Sequence, residues 1–278
     1  MRIINVSEVT KAIKQLFINA NYILPEDVLL KLKEFKEKEQ NQTAKNILSI
    51  LEENAEAARI DDVPICQDTG MAVVFAEIGQ DVYFEGGLFT DAVNEGVRHA
   101  YKEGALRKSV VGDPISRINT GDNTPAVIYT ELVKGDKIKL TALPKGFGSE
   151  NMSRQMMFTP SATEKDIINF VTETVILAGG NPCPPIVIGI GLGGTFDYSC
   201  VLAKKALSRK IGIGNGIHTD LAERILEEVN KTGVGVQGLG GSTTALGVNI
   251  ESYPTHIASL PVAVNISCHV TRHSSIII

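Results

Sequence analysis

A change of texture near residue 60 constrains the fold more than any other feature. Before it, apolar residues recur at helical spacing: Val6, Val9, Ile13, Leu16 and Phe17, then Ile47, Leu48 and Leu51. Pro25-Glu26-Asp27 reads as a helix start, with proline in the first turn and acids favoured by the helix dipole. Leu29 to Glu39 is heavily charged and implies a solvated face. After residue 60 the apolar runs shorten to strand length, and glycine, proline and β-branched residues become frequent. The expectation is an α+β fold: an N-terminal helical layer over residues 1–58, then a mixed α/β region over residues 60–278 with glycine-rich loops. Together they read as a single domain.

Within the second region, Val73–Ile78 and Val82–Phe84 read as neighbouring strands joined by Gly79-Gln80-Asp81. Ala126–Val133 and Lys137–Leu143 read as a hairpin through Lys134-Gly135-Asp136. Helices are expected over Asp91–Gly104, Thr163–Ala178, Tyr198–Arg209 and His218–Lys231. Buried strands are expected at Ile186–Ile190 and Val262–Ile266.

Composition narrows the function. With 278 residues, 43% hydrophobic and 21% charged, the chain can bury a substantial core. A net charge of −5 offers no electrostatic case for nucleic acid or an anionic membrane. No apolar run approaches the roughly 20 residues that span a bilayer. Met1-Arg2-Ile3-Ile4-Asn5 lacks an apolar signal core, so a cytoplasmic protein is expected. Four widely spaced cysteines do not resemble a disulfide framework, which leaves buried thiols, a catalytic thiol or metal ligands.

Cys66-Gln67-Asp68-Thr69-Gly70 places a thiol, an amide and a carboxylate in consecutive positions on a turn before an apolar strand. Cys183, in Asn181-Pro182-Cys183-Pro184-Pro185, and Cys268, in Asn265-Ile266-Ser267-Cys268-His269, lie in similar settings. Single cysteines on separate turns suit an iron–sulfur cluster inside a formed site, and three thiolates on a four-iron cage would leave one iron open to substrate. Inert buried thiols are the plain alternative, and Cys200, at the start of an apolar helix, reads as a small buried hydrophobe. Gly193-Gly194-Thr195 and Gly238-Leu239-Gly240-Gly241-Ser242-Thr243 could cradle an anion, but neither has nucleotide-binding spacing. Lys145-Gly146-Phe147-Gly148-Ser149-Glu150-Asn151 is either a connector or a backbone cradle for a carboxylate. Arg107 has the chemistry of a carboxylate clamp, although a lone arginine is more often a surface residue. His256 is the best acid–base candidate of the five histidines, its setting implying a positioned, partly buried ring; a structural hydrogen-bonding role is the plainer reading. His269 is placed to support a metal ligand, whereas His99 and His218 read as structural.

These motifs, in this order, resemble the class I fumarate hydratase and L-tartrate dehydratase family, in its alpha subunit or N-terminal domain. The resemblance implies a [4Fe-4S] hydro-lyase with Cys66, Cys183 and Cys268 as ligands. It also implies Gln67, Arg107 and Gly148 as contacts to a C4 dicarboxylate, and Asp68 and His256 in proton handling. The family's three-glycine loop is here Gly146-Phe147-Gly148, a departure at the middle position. A beta subunit completing the active site and an alpha–alpha dimer follow from the same resemblance. Interconversion of (S)-malate and fumarate is the first expectation and L-tartrate dehydration the second. A non-catalytic iron–sulfur or zinc scaffold protein is the rival from another class.

Overall fold

The computed structural model describes residues 1–212 and 217–278. In chain order the first elements are β1 (Arg2–Asn5), α1 (Val6–Tyr22), α2 (Glu26–Lys38) and α3 (Gln42–Asp61). Next come β2 (Met71–Gly79), β3 (Val82–Glu85), α4 (Phe89–Glu103), β4 (Val127–Val133) and β5 (Ile138–Lys145). The remainder is α5 (Phe147–Glu150), β6 (Arg154–Phe158), α6 (Glu164–Ala178), β7 (Ile186–Gly193), α7 (Phe196–Ala206), α8 (Thr219–Asn230), β8 (Ala245–Tyr253), β9 (Leu260–Ser267) and β10 (Ser274–Ile277). The α+β class is as expected. The described chain forms two compact units: residues 1–24, 55–147 and 272–278, and residues 25–54 and 148–271.

In the first unit, a four-stranded sheet runs β10-β5-β2-β4. Val9, Ile13, Leu16 and Phe17 on α1, and Val93, Val97 and Ala100 on α4, form one core with Val74, Ala76, Ile138 and Leu140 of the sheet. Asn5 caps α1 by accepting the Ser7 N–H at 3.0 Å, which satisfies a donor the helix cannot. Two pairings differ from expectation. β4 and β5 form no hairpin; β2 lies between them, parallel to β4 and antiparallel to β5. β3 pairs in parallel with the unforeseen strand β1 and not with β2. The turns Gly79-Gln80-Asp81 and Lys134-Gly135-Asp136 are real: Gly79 N donates to Lys137 O, Gln80 N to Val133 O and Asp81 N to Gly135 O. These bonds tie the two turns to each other, so each connection reverses the chain without pairing its own flanking strands.

The second unit is built on the sheet β6-β9-β7-β8. Side chains alternate across a strand, and β7 uses both faces differently. Ile186, Ile188 and Ile190 join the core formed with Ile167, Val171 and Val175 of α6 and Leu221, Ile225 and Val229 of α8. The opposite face presents Gly189 and Gly191 to α7. A methyl group there would lie 2.1 Å from Ala203 O and 2.0 Å from Ser199 O respectively, so glycine is what lets α7 approach. α6 starts with a capping box, in which the Asp166 carboxylate accepts the Thr163 N–H at 2.7 Å. The helices expected from Tyr198 and His218 begin at Phe196 and Thr219.

Candidate functional site

The first unit holds Cys66, Gln67, Asp68 and Arg107. The turn after Pro64 ends at Gly70, whose φ of +78° is left-handed. A side chain there would also meet Lys145 N at 2.7 Å; glycine is required on both counts. Asp68 Oδ1 accepts the Gly70 N–H and Oδ2 the Phe147 N–H, each at 3.0 Å. The carboxylate plane is thereby fixed by two backbone donors. The Cys66 thiol lies 3.3 Å from Gln67 Oε1. Thr69 is buried and donates to Arg107 O at 3.1 Å, bringing the arginine-bearing loop to the same turn.

Three further residues support this turn, and sequence reasoning missed all of them. The buried Tyr101 hydroxyl lies 2.8 Å from Thr69 O and 2.7 Å from Gly70 O. Burial pushes its pKa up, so it remains an O–H donor. Asn123 has a left-handed φ of +63° and is fully buried. Its Oδ1 accepts Ser109 N at 2.7 Å, and its Nδ2 donates to Gly70 O at 3.2 Å. The Arg272 guanidinium, also buried, donates through Nη2 to Asp68 O. The only sequence signal for these residues is polar side chains at positions that fold inward.

The second unit holds Cys183, Cys268, Gly148 and His256. Cys183 has φ +53°, a conformation side-chain-bearing residues seldom take and one found preferentially at functional sites. Its carbonyl accepts His269 Nδ1–H at 2.9 Å. Gln237, at φ +54°, gives Pro184 O both its backbone N–H at 2.8 Å and its side-chain Nε2–H at 2.7 Å. The segments carrying Cys183 and Cys268 are therefore brought together by the ring that follows Cys268. On β9, Asn265 Nδ2 donates to Glu150 Oε2 at 2.8 Å and Ser153 Oγ at 2.9 Å, buttressing the strand that delivers Cys268. Gly148 lies beside Asn181, whose carbonyl oxygen would be 3.6 Å from a methyl group at that position.

Three expectations need correction. His256 is exposed, not partly buried; its Nδ1 accepts Ala258 N at 3.2 Å in a local turn, and Thr255 Oγ1 ties that turn to Gly194 O at 3.0 Å. Cys200 is exposed as well; α7 turns Ser199, Leu202, Ala203 and Ala206 inward and leaves Cys200 off that face. The Gly238–Thr243 loop does cradle an anion, but an internal one: Glu39 Oε2 accepts Ser242 N at 2.9 Å, Ser242 Oγ at 3.1 Å and Thr243 Oγ1 at 2.8 Å.

None of the four cysteines forms a disulfide, and Cys66, Cys183 and Cys268 are each at least partly accessible. Accessible thiols on turns are a soft donor set, suited to iron–sulfur or thiophilic metal chemistry. Among the described residues, no three His, Cys, Asp or Glu side chains are grouped to hold a single metal ion. A cluster spreads its thiolates over several irons, a wider arrangement than one ion takes.

Thiols on turns at strand ends, with buried polar side chains behind one of those turns, mark the chain as an α+β protein of enzyme type. Residues 10–277 match the family described as Fumarate hydratase (Fumerase), and the chain belongs to that family of hydro-lyases. A Methanocaldococcus jannaschii protein, provisionally named L(+)-tartrate dehydratase subunit alpha, is 42% identical over 96% of both chains. The proteins named L(+)-tartrate dehydratase subunit alpha of Escherichia coli K12 and Shigella sonnei are each 30% identical, over 92% of this chain and 86% of theirs. No helix among the described residues is long and apolar enough to cross a membrane.

Proposed function

We propose that this chain is the alpha subunit of a [4Fe-4S] hydro-lyase that interconverts (S)-malate and fumarate plus water. The observation that carries this is the Cys183 loop. A cysteine in a rare backbone conformation is held through its carbonyl by the histidine next to Cys268, and the residue is exposed. Cys66, Cys183 and Cys268 would hold the cluster, with Gln67 and Asp68 following Cys66 directly in the sequence. When bound, the cluster would supply a Lewis-acidic iron for the substrate hydroxyl and an adjacent carboxylate oxygen.

The chain's own residues would do the rest. Gln67 and Arg107 bind carboxylate oxygens, the guanidinium by paired hydrogen bonds. Gly148 offers a backbone N–H to the same substrate. Asp68 takes the C3 proton: two N–H bonds orient its carboxylate and leave lone pairs for a base. His256, accessible on its turn, relays or orients. The relatives' designation as alpha subunits supports a beta partner that completes the site, and an alpha–alpha dimer joined to beta chains is the assembly we infer. L-tartrate is the second substrate, favoured by those relatives' names; anaerobic competition between malate and L-tartrate separates the two.

Cys183→Ser, purified anaerobically, should lose the visible charge-transfer absorption of the cluster and the lyase activity together. Unchanged absorption would refute the ligand assignment. Stoichiometric zinc without acid-labile sulfide in the wild-type chain would favour a scaffold protein instead.

A further inference from the structure

We propose that Arg272 is a positioning residue for the Gln67–Asp68 turn, acting through the main chain and not through a carboxylate. Its role deepens the lyase reading and rests on Asp68 and Gln67 handling substrate. Three consecutive carbonyls, those of Asp68, Thr69 and Gly70, each accept a hydrogen bond from a buried side chain. The donors come from three distant segments: Arg272 to Asp68 O, Tyr101 to Thr69 O and Gly70 O, and Asn123 to Gly70 O. The turn is thus fixed from behind over residues 68–70, while Gln67 in front stays exposed.

Arg272 is the costliest of the three anchors. It is 3% exposed, and a buried guanidinium normally demands a carboxylate. Here Nη2 serves Asp68 O, Nε reaches Pro144 O at 3.5 Å, and Nη1 is enclosed with no hydrogen-bond partner among the described residues. The Asp68 carboxylate is committed to the Gly70 and Phe147 amides. A residue selected only to stitch the C-terminal segment to the sheet would not need a desolvated cation with a spare donor. A cation aimed at the Asp68 carbonyl holds the Asp68–Thr69 peptide unit, which follows directly on the Cα that carries the Asp68 carboxylate. Gly146 leaves room for the Asp68 carboxylate: a methyl group there would lie 3.0 Å from Asp68 Oδ2.

The test uses Arg272→Met, which keeps bulk and removes the donors, and Arg272→Lys, which keeps the charge. Each full-length chain is made anaerobically with its partner subunit. In Arg272→Met, kcat on malate should fall about 30-fold, in line with the cost of ångström-scale misplacement. KM should stay within about threefold, because Arg107 and Gly148 still bind. Arg272→Lys should recover most of the lost kcat. Independently of activity, hydrogen exchange should quicken about tenfold or more at the Gly70 and Phe147 amides, with α1 and β2 unchanged. Exchange unchanged at those amides, or raised evenly across the first unit, overturns the inference, as does a kcat within twofold of wild type. Local exchange as expected in a protein whose wild type shows no lyase activity would sustain the positioning role and refute the lyase reading. If Arg272→Met does not fold, Arg272→Gln, which loses the charge and the reach to the Asp68 carbonyl, is judged by the same exchange criterion.

Discussion

Glu39→Gln perturbs the internal anion site of the second unit with almost no change in volume. Glu39 is 3% exposed and its carboxylate accepts five hydrogen bonds. Oε1 takes the Gln40 and Asn41 amides, each at 3.0 Å, and Oε2 takes Ser242 N, Ser242 Oγ and Thr243 Oγ1. A glutamine has one oxygen. Its best orientation turns that oxygen to the Gln40 and Asn41 amides and its NH2 to the two hydroxyls, which can rotate to accept. Ser242 N–H is then buried against another donor, a loss of about 1–3 kcal/mol. Converting the remaining bonds from charge-assisted to neutral brings the expected total to about 2–4 kcal/mol. Burial pushes the Glu39 carboxyl up, but the hydrogen bonds from Asn41, Thr243 and Ser242 outweigh it and hold its pKa below the ordinary value of 4.5. A lowered folded pKa means stability that is present above 4.5 and lost as pH falls through the folded value. Urea unfolding should therefore show Glu39→Gln well below wild type at neutral pH, with the gap closing below pH 4.5. A variant within about 0.5 kcal/mol of wild type at neutral pH, or a gap that does not change with pH, would refute the account.

Other perturbations test other parts of the structure. Tyr101→Phe removes the donor to Thr69 O while Asn123 still serves Gly70 O; it should cost about 1–2 kcal/mol and lower kcat more than it raises KM. Gly189→Ala places a methyl group 2.1 Å from Ala203 O and should destabilise by about 3 kcal/mol or more by lifting α7 off β7, read by thermal unfolding. Cys200→Ala, at an exposed thiol off the inward face of α7, should leave cluster absorption unchanged and stability within about 0.5 kcal/mol.

Helices were legible because their signal is local. The apolar spacing in α1 survives into the structure nearly residue for residue, since an amphipathic helix states its inward face in its own sequence. Strand pairing is not local. The sequences of β4 and β5 fit a hairpin, yet β2 sits between them, because the helix face formed by α1 and α4 buries a sheet with its most apolar strand inside. Cys200 shows how little error is needed: Ser199, one position away, is fully buried, and successive residues of a helix point roughly 100° apart, so naming the helix without its inward face was enough to invert the expectation.

The same contrast runs through the candidate site. Cys66, Gln67 and Asp68 stood out in the sequence as candidates because reactive residues beside turn formers are unusual, while Arg107 became one through the family resemblance. Arg272, Tyr101 and Asn123 could not, because each is unremarkable where it stands in the chain and gains meaning only when folding aims it at one of three adjacent carbonyls. A reacting group must be held within a fraction of an ångström, and an exposed turn has no packing of its own to do this. The rigidity has to come from buried polar atoms, whose desolvation is offset only if each meets an acceptor. Asp68, Thr69 and Gly70 supply those acceptors along their backbone, independent of side-chain identity. A motif search would therefore find the groups proposed to meet substrate and pass over the buried groups that hold their turn in place.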